Sequence, residues 1–294
     1  MSWKSPERPD VTTHMERPVT SRIAPQQARS WLLVPASKPD TFDAELASAA
    51  DAVILDLEDA VTAPNKPAAR RDVAAFLSEH NHAWVRINDA TTPFWEEDLA
   101  ALAGLPGLEG VMLAKTESSQ QADATAERLP EGTKILALVE SAVGLEAAPE
   151  IARTDGIFRL AFGSGDFRRD TGMDDSPTSM SYPRSRLTIA SRAARIAPPI
   201  DGPTLGPDLD LLARDCAITL SLGMAGKLCM TTAQTAPVNA GLSPSVADAI
   251  WAQNVIDDLG EDGSRVRDGS DLPKLAKAKK IHKLATLFHI PTDH

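Results

Sequence analysis

From Trp31 onward, short β-rich apolar runs alternate with Ala-rich amphipathic stretches. The apolar runs cover residues 31–35, 52–57, 83–87, 110–114, 134–139, 157–163, 199–202 and 224–230, which makes eight predicted strands. Helical patterns fill the intervals at 40–50, 67–79, 94–103, 118–128, 143–153, 184–196 and 207–222. Such alternation is expected of a parallel sheet wound with helices. Eight units in about 200 residues predict an α/β fold of the (β/α)8 TIM-barrel type. A doubly wound open sheet competes, but it usually carries a glycine-rich turn after its first strand. Val34-Pro35-Ala36-Ser37-Lys38-Pro39 occupies that place here.

The barrel takes residues 29–242. Ahead of it, residues 1–28 read as a flexible tail, with Pro6, Pro9, Pro18 and Pro25 set among Arg, Thr and Ser. Behind it, residues 243–294 hold two more helical patterns around the polar, Gly-rich stretch 260–271. That segment predicts a C-terminal helical arm or lid, with a plain surface loop between two covering helices as the other reading.

Composition narrows the partners. A chain of 294 residues with 43% hydrophobic content has enough apolar material for a real core. A formal charge of -11 argues against nucleic acid or an acidic membrane as the main partner, and favours a small molecule. The only cysteines, Cys216 and Cys229, allow neither a disulfide framework nor a Cys-rich zinc site, and read as buried fillers. The first 29 residues lack the apolar centre of a secretory signal, and no stretch approaches the ~20 apolar residues of a membrane span. A cytoplasmic protein is expected. The six histidines fall in the tail (His14), before the third strand (His80, His82) and near the C-terminus (His282, His289, His294), which disfavours a His-centred triad or zinc-hydroxide mechanism. Proton transfer would then fall to carboxylates, Arg or metal-bound water.

Barrel enzymes gather their chemistry at the C-terminal ends of strands. This chain places there Ser37 and Lys38, then Asp56, Glu58 and Asp59, then Arg86 and Asn88, then Lys115, Glu140, Asp166, Asp201 and Lys227. Glu140 closes the fifth apolar run, and Asp166 follows the sixth through the turn Ser164-Gly165. Two hard oxygen ligands with no His or Cys beside them suit a Mg2+ ion that keeps several waters and takes its other ligands from substrate. Solvated strand-end acids are the bland alternative. Arg86 follows Trp84-Val85 in a strand that should be buried, so it needs an anion, which Glu58 or a substrate could supply. Lys227, inside the last apolar run, reads as a structural ion-pair residue.

Several segments together carry a resemblance. They are Arg29-Ser-Trp-Leu-Leu-Val-Pro35, Ile54-Leu-Asp-Leu-Glu-Asp-Ala-Val61 with Lys66 and Arg70 behind it, Val85-Arg-Ile-Asn88, Val139-Glu-Ser-Ala-Val-Gly144, Ala161-Phe-Gly-Ser-Gly-Asp-Phe167 and Gly226-Lys-Leu-Cys229 with Gln234. In that order, over about Arg29 to Lys280, they resemble the citrate lyase β-subunit-like family of the HpcH/HpaI aldolase superfamily. The resemblance implies a Mg2+-dependent barrel lyase that cleaves or forms the C–C bond of a 3-hydroxyacyl thioester of malyl-CoA or citramalyl-CoA type, with a small 2-oxo acid as partner. It implies Glu140 and Asp166 as metal ligands, and Arg86 as the group that holds the oxyanion. Glu58 and Asp59 match an acidic pair near the metal waters, while Ser37 and Lys38 fall in the segment that meets CoA. It also implies a homotrimer or hexamer in which Asp271, on a C-terminal lid, protonates the enolate in a neighbouring subunit. Two other readings stay open, a citrate lyase β subunit acting on a citryl group carried by an acyl carrier protein and a non-catalytic CoA- and metal-binding barrel. The chain departs from the family where Thr231-Thr232 replaces a His-Pro pair, and the lid motif is two residues short.

Overall fold

The computed structural model describes residues 23–79 and 81–292. Eight strands, β1 (Ser30–Pro35), β2 (Ala52–Asp56), β3 (Ala83–Ile87), β4 (Leu108–Leu113), β5 (Ile135–Val139), β6 (Ile157–Phe162), β7 (Ile200–Asp201) and β8 (Gly226–Cys229), pair in sequence order. All pairs are parallel, and β8 returns to β1 through Ser30↔Lys227, Trp31↔Leu228 and Leu32↔Cys229. The closed (β/α)8 barrel expected from the pattern is therefore the fold. β7 is shorter than the run that predicts it, because Pro198, Pro199 and Pro203 crowd its ends and proline has no N–H to give a ladder.

Helices cover the outside, as α1 (Phe42–Leu46), α2 (Lys66–Ser78), α3 (Pro93–Leu102), α4 (Ser119–Ala126), α5 (Ala142–Ile151), α6 (Ser164–Thr171), α7 (Ser181–Ala194), α8 (Leu209–Ser221) and α9 (Thr232–Gly241). The hydrophobic pattern does not show α6 or α9. The first is short, strongly polar and opens on Ser-Gly, and the second carries Pro237 inside it. The correction matters for Asp166, which stands in the first turn of α6 and not in a strand-end turn.

Period-two alternation along the strands builds two cores. On β1, Trp31 and Leu33 point inward to join Ile54, Trp84, Met112 and Leu136, while Leu32 and Val34 point outward under the helices. Trp31 and Trp84 meet edge to face at 5.2 Å between centroids, filling the barrel below its mouth. Arg159 closes the opposite end. It is fully buried and donates to the carbonyls of Pro198 (2.7 Å), Pro25 (3.1 Å) and Ala28 (3.0 Å), with burial lowering its pKa to about 9. A Cβ at Gly226 would lie 2.8 Å from the Arg159 guanidinium and 3.1 Å from Trp31 Nε1, so the floor packs closely against this glycine. These carbonyl bonds seat Pro25 and Ala28, at the end of the expected flexible tail, against the barrel floor. Residues 1–22 of that tail, with His14, and also His80 and His294, lie outside the described residues.

After the barrel come α10 (Val246–Leu259) and α11 (Asp271–Leu287), flanking the polar connection 260–270. They share a small core of Ala252, Val255, Leu259, Leu275 and Ala278. Among the described residues, no helix is long and apolar enough to cross a membrane. Cys216 and Cys229 are buried and unpaired with each other, and burial pushes both thiols up, Cys229 to about 12.

Candidate active site

Arg86, Asp59, Glu140 and Asp166 line one small cavity of about 150 Å3 at the C-terminal mouth of the barrel. Glu140 follows β5 and is 6% exposed, and its Oε1 accepts the Lys115 backbone N–H at 2.8 Å. Burial, reinforced by the charges of Glu58 and Asp166 and opposed by Arg86 and the Lys115 N–H, raises its pKa to about 7. The carboxylate passes so close to β6 that a Cβ on Gly163 would sit 2.3 Å from its Oε2. Asp166 faces the same space from α6, with Arg169 3.2 Å away on the solvent side.

Arg86 is held differently from the expectation. Its Nε and Nη2 form a fork with Asp56 at 2.7 and 2.6 Å, while Glu58 stands 3.4 Å from Nη1. Asp56, 2% exposed, is thus the principal counter-ion, and the two-nitrogen face is committed to it. Burial works against the guanidinium charge, but Asp56, then Glu58 and Glu140, shift its pKa upward overall. Nη1 and the outer N–H of Nη2 are left for a substrate oxygen.

Glu58 is 5% exposed and binds the Lys115 ammonium through Oε1 and the Asp59 N–H through Oε2 (2.7 Å). Burial raises its pKa, more than Arg86 and Lys115 lower it. Asp59 is exposed, 3.4 Å from Lys115 Nζ, and its pKa falls despite burial because Glu58, Lys115 and Arg86 favour its charge. Lys115 therefore touches three acids of the site, one through its backbone. It adopts φ 47°, in the left-handed region that favours glycine. The sequence places Lys115 and Asp56 at strand ends without giving either a role. A lysine or aspartate directly at the end of a buried run was the available signal.

Behind the mouth lies a polar layer. Lys66 Nζ donates to the carbonyls of Leu57 and Glu58, both at 2.7 Å, and Asn88 Nδ2 reaches Leu57 O at 3.2 Å. Asp98, fully buried on α3, accepts from Asn88 N (3.0 Å), Asn88 Nδ2 (2.6 Å) and Arg70 Nε (2.8 Å). Side chains of α2 and α3 so fix the ends of β2 and β3 that carry Glu58 and Arg86. On the far side, Lys227 Nζ lies 3.6 Å from Asp201 and 2.8 Å from Gly202 O, the structural ion pair that its apolar surroundings suggest.

Other candidates stand apart. Ser37 and Lys38 are exposed on the β1–α1 connection, and Ser37 Oγ reaches Ala60 O at 3.4 Å. Asp271 begins α11 and accepts from Arg267 N (3.1 Å) and Nε (3.0 Å), which lowers its pKa; among the described residues no hydrogen bond or ion pair joins it to the mouth. Thr231 and Thr232 are exposed before and at the start of α9, while the buried Gln234 donates to Thr204 O at 2.9 Å and accepts from Met230 N at 2.8 Å.

The donor set fits a hard cation. No three His, Cys, Asp or Glu side chains among the described residues gather as a ready metal site. Glu140 and Asp166 instead offer two carboxylates at an open mouth, and a buried carboxylate with a raised pKa is one whose charge a cation would stabilise.

The sequence profile of the HpcH/HpaI aldolase/citrate lyase family matches residues 29–231, and that of the HpcH/HpaI aldolase C-terminal domain matches residues 247–289. The chain is 32% identical to the citrate lyase subunit beta-like protein of Deinococcus radiodurans over 87% of its own length and 97% of that protein. It is 29% identical to the L-malyl-CoA/beta-methylmalyl-CoA lyase of Rhodobacter capsulatus, covering 78% of this chain and 83% of that one. Among solved structures, CitE of Mycobacterium tuberculosis in complex with magnesium, acetoacetate and coenzyme A superposes with a TM-score of 0.76 at 29% identity, covering 89% of this chain and 99% of that one.

Proposed function

Because the chain belongs to the HpcH/HpaI aldolase/citrate lyase family and is an enzyme of that lyase family, we propose that it cleaves or forms the carbon–carbon bond of a 3-hydroxyacyl-CoA thioester of malyl-CoA or citramalyl-CoA type, with Mg2+ as cofactor. The observation that carries this reading is the convergence of buried Glu140, Asp166 and the clamped Arg86 on one barrel mouth. CitE, solved with magnesium, acetoacetate and coenzyme A, supports the same ligand classes.

Cleavage breaks the C2–C3 bond of an acyl chain whose C3 carries a hydroxyl and a carboxylate. The electron pair passes to the thioester enolate, and the hydroxyl carbon becomes the oxo carbon of a 2-oxo acid. One proton leaves the hydroxyl and one must reach the enolate carbon. Glu140 and Asp166 would hold Mg2+, which supplies Lewis-acid polarisation of the oxo acid's oxygens. Arg86, oriented by Asp56, presents Nη1 to charge developing on the reacting oxygens. Glu58 and Asp59 form the acid–base pair at the same rim, tuned in opposite directions by their surroundings. Ser37 and Lys38 would meet the phosphates of CoA. Asp271 is the proposed donor to the enolate carbon, acting in the mouth of a neighbouring subunit of a homotrimer or hexamer.

The test is product analysis with purified protein, Mg2+, acetyl-CoA or propionyl-CoA and a panel of 2-oxo acids. Formation of a 3-hydroxyacyl-CoA that stops on chelation and returns with Mg2+ is expected. Turnover that survives exhaustive chelation would sink the metal assignment. Activity confined to an acylated carrier protein would replace CoA with the carrier.

A further inference from the structure

Resting on that lyase reading, we propose that a second cavity, behind Ser164 and Pro203, is a subsite for the distal carboxylate of a five- or six-carbon 2-oxo dicarboxylic acid. The cavity holds about 450 Å3, three times the mouth, and lies between α6, α7 and α8. Ser164 and Pro203 line both spaces, so they form the rim the two share.

The chemistry of its walls is cationic in a chain of net charge -11. Arg168, Arg184 and Arg214 face it, against the carboxylates of Asp175 and Asp215. Arg184, which lines the cavity, is fixed by Asp201 through Nε at 2.7 Å. Arg168 pairs at 3.1 Å with Asp175, whose side chain is 83% exposed. A solvent-exposed pair of that kind is worth little and is readily exchanged for a ligand carboxylate. Arg214 is close enough to Asp208 for its charge to help lower that carboxyl's pKa, and Asp215 is engaged by the Thr204 hydroxyl at 2.5 Å. Met180 and Ile218 supply apolar wall for methylene groups.

The rim that the two cavities share bears on the length of the ligand. Asp166, the candidate metal ligand, and Arg168 belong to the same helix, with Arg168 one turn beyond Ser164. One turn rises about 5.4 Å. An oxo acid held at the mouth by its 1-carboxylate and 2-oxo oxygens would have to carry its second carboxylate past the Ser164–Pro203 rim to meet Arg168, which favours chains longer than oxaloacetate. Glyoxylate and pyruvate carry no second carboxylate and oxaloacetate sets its own one methylene from the oxo carbon, whereas 2-oxoglutarate and 2-oxoadipate place it two and three methylenes away.

The experiment compares kcat/KM for glyoxylate, oxaloacetate, 2-oxoglutarate and 2-oxoadipate with acetyl-CoA and Mg2+, in wild type and in an Arg168→Ala/Arg214→Ala variant. Calorimetric binding of 2-oxoglutarate in the presence of Mg2+ is measured on both. The longer dicarboxylic acids should lead by at least tenfold, and the variant should lose that lead and the binding while its glyoxylate rate stays unchanged. Preference for the short acceptors in wild type, or an equal loss for every acceptor in the variant, would overturn the subsite alone. No turnover with any acceptor, alongside 2-oxoglutarate binding that depends on the two arginines, would overturn the lyase reading and leave the subsite standing. Neither turnover nor binding would remove both.

Discussion

Lys115 donates its backbone N–H to Glu140 Oε1 at 2.8 Å while its own ammonium pairs with Glu58, so one residue at the end of β4 ties together two acids of the mouth. The two contacts can be separated experimentally because Lys115 sits at φ 47°. A side chain in that region costs roughly 1–2 kcal/mol, so Lys115→Gly keeps the N–H, relieves the backbone and removes the side chain that pairs with Glu58 and Asp59. We expect an unchanged or higher melting temperature, unchanged Mg2+ binding and at least a tenfold fall in kcat. Full activity in that variant would reduce the ammonium to a counter-charge without a task.

The raised pKa of Glu140 links its charge to stability. Its ordinary value is 4.5 and its folded value about 7, so the fold prefers the neutral acid. The stability contributed is complete below pH 4.5 and is lost as pH rises through 7, on the order of 3 kcal/mol for a group this buried. Metal-free protein should thus melt lower at pH 8 than at pH 5, with a smaller difference in Glu140→Gln. Glu58 and Asp98 shift the same way and remain, so the slope shrinks without vanishing. Added Mg2+ should raise the melting temperature more at pH 8, where it need not displace a proton. Identical slopes in wild type and variant would show that Glu140 does not carry this linkage.

Arg86→Lys tests the fork. A lysine cannot engage both oxygens of Asp56 in plane, and Asp56 is too buried to find water in its place. The variant should lose about 10²-fold in kcat, in keeping with the loss of one charge-stabilising donor, together with some 1–3 kcal/mol of stability in urea titration. Loss of stability with full kcat would make Arg86 a structural ion-pair residue only.

The barrel and most of its mouth were legible in the sequence, since eight apolar runs alternate with helices and Arg86, Asp59, Glu140 and Asp166 sit where those runs end. What the pattern hides is relational. Asp56 and Arg86 lie 30 residues apart, and only the β2–β3 register, in which they stand opposite one another, makes them a pair. The role of Lys115 depends on a left-handed backbone that a lysine does not announce. The helix that bears Asp166 begins with Ser-Gly, residues that read as a turn, and it is short and polar, with Phe167, packed on Phe162 of β6, as its one buried residue.

Lys66 reaches the site only through backbone, so its removal separates positioning from chemistry. Lys66→Met removes one donor from the carbonyls of Leu57 and Glu58, which keep Asn88 Nδ2 and the Val61 N–H, at a cost of roughly 1.5–3 kcal/mol per hydrogen bond to a charged group. If those bonds place the Glu58 carboxylate, kcat should fall several-fold with KM for the acyl thioester unchanged, and Lys66→Arg should restore part of it. A variant that loses stability but keeps kcat would confine Lys66 to the fold.

Asp271 poses the sharpest test of the assembly, because within its own chain it is badly placed to give up a proton. Arg267 binds its carboxylate and lowers its pKa, and α11 packs with α10 with no hydrogen bond or ion pair from Asp271 to the mouth among the described residues. For Asp271 to protonate an enolate carbon, the arm must present it to another subunit's mouth, where Arg267 need not hold it and a nearby anion would raise its pKa. Asp271→Ala and Arg86→Ala should each be inactive alone. Unfolded together and refolded, they should regain part of the wild-type rate, because some mouths then join an intact Arg86 to an intact Asp271 from next door. Arg267→Ala, which frees the carboxylate, should keep or raise kcat. Unchanged turnover in Asp271→Ala, or fully active monomers by light scattering, would place the proton donor inside the barrel, where Glu58 already carries a raised pKa.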